Sequence, residues 1–115
     1  MNGWEKSTLY LTDTMEKAVE VLEENRLLGI GLVIDKDKKL LGTVTDGDIR
    51  RAIIKHCGMD TPVSQLMNHQ PAVAKTGDSQ ENNLLLMAQK VIARLPVVDD
   101  VGVIVGLLTQ DAVRT

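Results

Sequence analysis

The sequence predicts an α/β fold of the α+β kind, built from two copies of one β-α-β-β-α unit. The chain repeats itself: Gly42-Thr43-Val44-Thr45 returns as Gly106-Leu107-Leu108-Thr109, and Val33-Ile34-Asp35 as Val97-Val98-Asp99. The offset is the same for both pairs, from position 42 to 106 and from 35 to 99. Without a gap, that offset also pairs Thr12 with Thr76, Leu22 with Leu86 and Arg50 with Arg114, so one supersecondary unit occurs twice. Within each copy, stretches of helical apolar spacing alternate with short continuous apolar runs. At 115 residues the chain has the size of one domain, whereas each copy alone would be marginal. Two half-units that each expose an apolar face bury it against one another, and the groove between them is the natural place for a ligand.

In the first copy Leu9-Tyr10-Leu11 reads as an opening strand. Asp13 with Glu16 reads as an N-cap and its return partner. Met15, Ala18, Val19 and Leu22 follow helical spacing, with Glu16, Glu20, Glu23 and Glu24 toward water. Gly29 and Gly31 punctuate the helix end. Leu32-Val33-Ile34 is a strand covered on both faces, residues 35–39 form a polar hairpin turn, and Leu40 to Thr45 is the returning strand. Asp48 reads as the cap of a helix whose apolar side is Ile49, Ala52 and Ile53. Thr61-Pro62 introduces a short linker helix over Val63 to Met67. In the second copy Val73 lies in the opening strand and Asp78 with Glu81 mirrors the capped start. Leu84, Leu85, Ala88, Val91 and Ile92 make a helical stripe. Pro96-Val97-Val98 and Ile104 to Thr109 are strands around a turn at 99–102. The chain divides into repeats 1–62 and 63–115. The second repeat's last helix reads as truncated at Thr115, as in a piece of a longer polypeptide.

Composition narrows the function. Aromatic residues make up 2%, namely Trp4 and Tyr10 with no Phe, so stacking platforms for single-stranded nucleic acid are nearly absent. A net charge of −3 with no basic cluster argues against a nucleic-acid partner. The lone Cys57 excludes an intrachain disulfide and suits a reducing compartment. No apolar run approaches the roughly 20 residues of a membrane span, and residues 1–6 lack the order of a secretory signal, so the expected location is the cytoplasm.

The stretch Gly42 to Ile49 carries the best candidate site. Thr45 offers a hydroxyl, Asp48 a carboxylate, and the helix start free backbone N–H groups. One carboxylate can accept from both vicinal hydroxyls of a ribose, and a phosphate suits helix N-terminal amides beside Arg50 or Arg51.

These residues, repeated in order as strand, helix, Val33-Ile34-Asp35, turn and Gly42-x-x-Thr45-x-x-Asp48-Ile49, resemble a tandem CBS domain, the pair called a Bateman module. Leu95-Pro96-Val97-Val98-Asp99 with Gly106-Leu107-Leu108-Thr109 fits the same family, and the resemblance runs from Thr8 to Arg114. It implies a pseudo-twofold pair of units packed sheet to sheet, adenine nucleotides in two clefts, and flat dimers. The stretch GTVTDGDIRRA (Gly42 to Ala52), with Trp4 near the N-terminus, further resembles CBS pairs that precede sugar-nucleotidyltransferase domains. The resemblance gives Thr45 and Asp48 the hydroxyl and ribose-binding roles and the backbone at Gly31, Leu32 and Val33 the adenine contact. Arg50 and Thr109 complete the candidate ligand residues. In the second copy Ala112 stands where the pattern has Asp, and Asp111 is one residue early, a rotation of about 100° on a helix. The second cleft is therefore expected to be weak or empty for ribosides. Conversely, Leu32 stands where the second copy has Pro96.

Other features carry less. Asp35 and Asp37 lack the glycine and terminal Glu of a calcium loop and sit among Lys36, Lys38 and Lys39. Asp46-Gly47-Asp48 has no nucleophile or lysine partner for phosphatase chemistry. His56, His69 and Cys57 lack metal-ligand spacing. Met15, Met67 and Met87 fit apolar filler. No catalytic residue, metal site or required cofactor is assigned. The expectation is a regulatory module, not itself an enzyme, that binds AMP, ADP or ATP as an allosteric ligand and modulates an attached C-terminal domain. That domain is of the nucleotidyltransferase kind, and the module forms a homodimer. The alternative is a ligand-free dimerisation module.

Overall fold

The computed structural model describes residues 3–110. A 3-10 turn at Trp4–Ser7 precedes β1 (Thr8–Tyr10), α1 (Met15–Glu24), β2 (Gly31–Ile34), β3 (Leu40–Val44) and α2 (Asp46–Ile54). A second 3-10 turn, Val63–Gln65, leads to β4 (Ala74–Lys75), α3 (Gln80–Lys90), β5 (Arg94–Val98) and β6 (Ile104–Thr109). The linker helix starts at Val63 as expected but ends at Gln65 rather than Met67, with Pro62 (ψ 143) as its extended N-cap. Each repeat makes a three-stranded sheet, β1-β2-β3 and β4-β5-β6, with the first pair parallel and the second antiparallel. The truncation at Thr115 and the Asp111 and Ala112 positions fall outside the described residues.

The central strand β2 is buried along its whole length, as its unbroken apolar run requires. Its alternation splits two cores. Val33 faces α1 and α2 with Leu9, Met15, Ala18, Val44 and Ile49. Leu32 and Ile34 face the other sheet, meeting Val98, Ile104 and Leu107. The two repeats therefore pack sheet to sheet, and each fully buried aliphatic there contributes about 1.5–3 kcal/mol. A third, smaller cluster joins Ala74, Met87 and Leu95.

Local chemistry repeats with the sequence. Asp35 Oδ1 accepts from the backbone N–H of Asp37 and Lys39, and Asp99 Oδ1 from Val101 and Val103, so both carboxylates knit hairpin turns. The hairpins then clasp one another. Leu40 N–H donates to Gly102 O at 3.0 Å and Ile104 N–H to Lys38 O at 2.9 Å. Leu40 and Ile104 are counterparts in the repeat, and so are Lys38 and Gly102. Such reciprocal bonding is the signature of a pseudo-twofold axis.

The gapless register fails in the first third of each unit. Leu9 and Ala74 hold the same place, beside Val33 and Val97, although the constant offset would match Leu9 with Val73. One residue fewer lies between opening strand and second strand in the second repeat. The same shift moves the caps. Thr14 and Ser79 cap α1 and α3, accepting from Lys17 and Asn82 N–H. Asp13 and Asp78, expected as caps, instead accept from Tyr10 and Lys75 N–H and close the turn before the cap. The α3 stripe is also thinner than its spacing suggests. Met87 is buried, Leu84 and Leu86 are half-buried, Leu85 is exposed, and Val91 lies past the helix end in the left-handed region at φ 54.

Candidate functional site

The junction of β3 and α2 builds a polar lip. The strand stops at Val44, and Thr45 adopts extended backbone (φ −121, ψ 172) as the N-cap. Asp46 and Gly47 supply the first helical positions, so Asp48 is the third residue of the helix and not its cap, a correction to the sequence reading. Its carboxylate folds back: Oδ2 accepts from Thr45 N–H at 2.9 Å and from the Thr45 hydroxyl at 3.1 Å, the acidic half of a capping box. Oδ1 pairs with Arg51 Nη2 at 2.5 Å. The Asp48 side chain is 11% exposed and that of Arg51 62%.

Thr45, Asp48 and Arg51 face a cleft of about 670 Å³ between the repeats, within the usual range for small-molecule sites. Gly29, Ile30 and Thr43 complete the first repeat's wall. The facing wall comes from the second repeat: Lys90 at the end of α3, then Ile92, Ala93, Arg94 and Pro96 leading into β5. The linking segment contributes Asn68, Gln70, Pro71 and Ala72. Asn68 is held on β3 by exchanging backbone bonds with Thr43, 3.1 and 2.8 Å.

Arg94 locks the two walls together. Its Nε donates to Leu28 O at 2.6 Å and its Nη2 to Leu27 O at 3.2 Å, joining the second repeat to the first. The guanidinium lies on Gly29, whose φ is +67 and whose missing Cβ would sit 3.3 Å from Nε and Nη2. A side chain there would strain the backbone and crowd the guanidinium, and glycine avoids both.

Of the expected ligand residues, the structure brings Thr45 and Asp48 to one cleft. Gly31, Leu32 and Val33 do not line it. They form the central strand, with Leu32 between the sheets and Val33 in the first repeat's core. The strands that reach the cleft are β3, through Thr43, and β5 of the other repeat, through Arg94 and Pro96. Arg50 is exposed and off the cleft, one helical step from Arg51, which faces it. Thr109 is half-buried at the end of β6 and also lies off this cleft. Sequence reasoning missed Asn68, Lys90 and Arg94. The detectable signal was Arg94 standing at the repeat position of apolar Ile30, a place otherwise reserved for core.

The counterpart cleft is chemically different. The positions matching Ile92, Arg94, Pro96 and Thr43 are Leu28, Ile30, Leu32 and Leu107, all in the inter-sheet apolar cluster with Trp4 packed on it. Among the described residues no group of His, Cys, Asp and Glu is placed to hold a metal, and no helix is long and apolar enough to cross a membrane.

The family model for the CBS domain matches twice, at residues 7–55 and 63–115. The chain belongs to the CBS-domain family. A CBS-domain protein of Pyrobaculum aerophilum complexed with AMP superposes with a TM-score of 0.81 at 25% identity, covering 91% of this chain and 80% of that one. CBSX2 in complex with AMP gives 0.79 at 28% identity, covering 93% and 83%. An uncharacterized protein of Rickettsia prowazekii (RP505) is 32% identical over 108 residues, 94% of this chain and 33% of its own length. The chain spans 19% to 33% of the length of the first curated relatives it matches. The mixed α+β architecture of two three-stranded sheets is that of CBS-domain pairs.

Proposed function

We propose that this CBS pair is a regulatory module that binds an adenosine nucleotide, AMP, ADP or ATP, in the cleft between its repeats. The observation that carries the reading is the Thr45–Asp48 pair on the wall of an inter-repeat cleft, in a family with solved members in complex with AMP. A ribose donates its vicinal hydroxyls to the Asp48 carboxylate. The phosphates lie toward the first turn of α2 and the cations Arg51 and Lys90. The second cleft, apolar at the matching positions, binds ribosides weakly or not at all.

The module works by linkage, with the nucleotide as an allosteric ligand rather than a substrate or cofactor. Ligand in the cleft favours the closed arrangement of repeats 1–62 and 63–115, and shifts an attached domain only by its differential affinity for two states, typically about 1–3 kcal/mol. The stretch Gly42 to Ala52 with Trp4 supports a sugar nucleotidyltransferase as that domain, and the single cysteine supports the cytoplasm.

Thermal unfolding with AMP, ADP, ATP and S-adenosylmethionine at millimolar concentration tests the reading. A ligand at a hundredfold excess over its Kd adds about 2.7 kcal/mol, a rise of roughly 10 °C in a domain this size. A melting point unmoved by all four refutes it. Ile53 and Ile54 on α2 and Leu85 on α3 are exposed, which favours dimerisation through helix faces as a second property. Sedimentation of Ile54→Lys tests it, since a dimer that persists unchanged excludes that face.

A further inference from the structure

We propose that Arg51 is the specificity-determining residue of this cleft, an ion-pair latch that makes the site select phosphorylated nucleosides over adenosine. The inference rests on the nucleotide reading above and says which part of the ligand opens the site. The Asp48 carboxylate offers about four acceptor sites, and three are taken. Oδ2 takes the Thr45 N–H and hydroxyl, which belong to the helix start and stay in place. Oδ1 takes Arg51 Nη2 alone. A ribose that donates both vicinal hydroxyls to Asp48 therefore finds one free site on Oδ1 and must take the second from Arg51.

Displacing Arg51 leaves its guanidinium without an anion. Among the described residues the cleft wall carries three cations, Arg51, Lys90 and Arg94, and Asp48 as its carboxylate. Arg94 is committed to the carbonyls of Leu27 and Leu28. The freed Arg51 turns to solvent across from Lys90 of the other repeat, where a ligand phosphate gives the two cations a shared anion. Arginine suits the exchange because its planar fork pairs carboxylate and phosphate equally well. The Arg51 side chain is 62% exposed, so it can swing without disturbing the core. Adenosine breaks the same pair and returns nothing.

Calorimetric titration of adenosine, AMP and ADP against the wild-type chain, Arg51→Gln and Arg51→Lys tests the latch. The expected wild-type result is AMP and ADP bound at least about tenfold more tightly than adenosine. In Arg51→Gln, AMP weakens by about tenfold while adenosine tightens, because Asp48 is released, so the two affinities converge. Arg51→Lys keeps part of the preference. Equal wild-type binding of adenosine and AMP overturns the latch and leaves the cleft reading intact. An equal loss of both ligands in Arg51→Gln, with Arg51→Lys behaving the same way, also overturns it and assigns Arg51 a structural role. Wild-type binding of none of the three overturns the nucleotide reading and the latch together.

Discussion

Gly42 and Gly106 hold the same place in two copies of one motif, yet they are glycines for different reasons. A Cβ on Gly42 would lie 2.6 Å from Asn68 O and 2.8 Å from Met67 Sδ, because the linking segment crosses β3 there. A Cβ on Gly106 would meet only Val97, at 3.7 Å, an ordinary contact. The clefts diverge in parallel. The first has Thr43, Asp48 and Arg51 on one wall and Arg94 on the other. At the positions matching Thr43 and Arg94 the second has Leu107 and Ile30, with Trp4 against them. Duplication kept the scaffold in both halves, whereas among the described residues the crossing segment, Thr43 and Arg94 mark one cleft alone. A repeated motif therefore reports shared ancestry of backbone, not shared constraint on each residue.

Several measurements break or sharpen this contrast. Asp48→Ala should cost about a hundredfold in AMP affinity, roughly 3 kcal/mol, since two charge-assisted hydrogen bonds are lost. Retained affinity in titration would move the site to the other half. Gly42→Ala should destabilise by about 2–3 kcal/mol through overpacking against backbone, read as a lower denaturant midpoint at unchanged m-value. Trp4→Ala should cost about 1–2 kcal/mol, less than for a fully buried ring, and should leave the first-cleft affinity unchanged. A single nucleotide per wild-type chain, rising toward two in Trp4→Ala, would show that the ring is what fills the second cleft. Gly106→Ala should be the mildest, a stabilisation of up to about 1 kcal/mol if its backbone suits alanine, because the unfolded chain loses freedom. A cost like that of Gly42→Ala would erase the distinction.

The architecture was legible because apolar period and turn chemistry agreed in both halves. The Val33-Ile34-Asp35 and Val97-Val98-Asp99 runs end in the same bulge and the same carboxylate-knit turn. Thr45 and Asp48 were legible because a hydroxyl and a carboxylate three residues apart, where a strand hands over to a helix, are held together by the helix geometry itself. The facing wall was not legible. Gly31, Leu32 and Val33 were assigned from their own repeat, whereas the cleft is completed by β5 of the other, and no local pattern reports which strand of a duplicated pair crosses over. The cap assignments failed by one residue for a related reason. Asp13 and Asp78 are good caps by composition, but Thr14 and Ser79 already hold the position, and the carboxylates satisfy the turn instead.

The clasp between the hairpin tips has a consequence for biosynthesis. The bonds from Leu40 to Gly102 and from Ile104 to Lys38 join segments made a full repeat apart. At about 5–20 residues per second, the first tip waits roughly 3–13 s on the ribosome for its mate. During that interval the Leu32 and Ile34 side of the first sheet stays uncovered, a nascent surface that a chaperone or a neighbouring copy on the same message meets before the second half arrives.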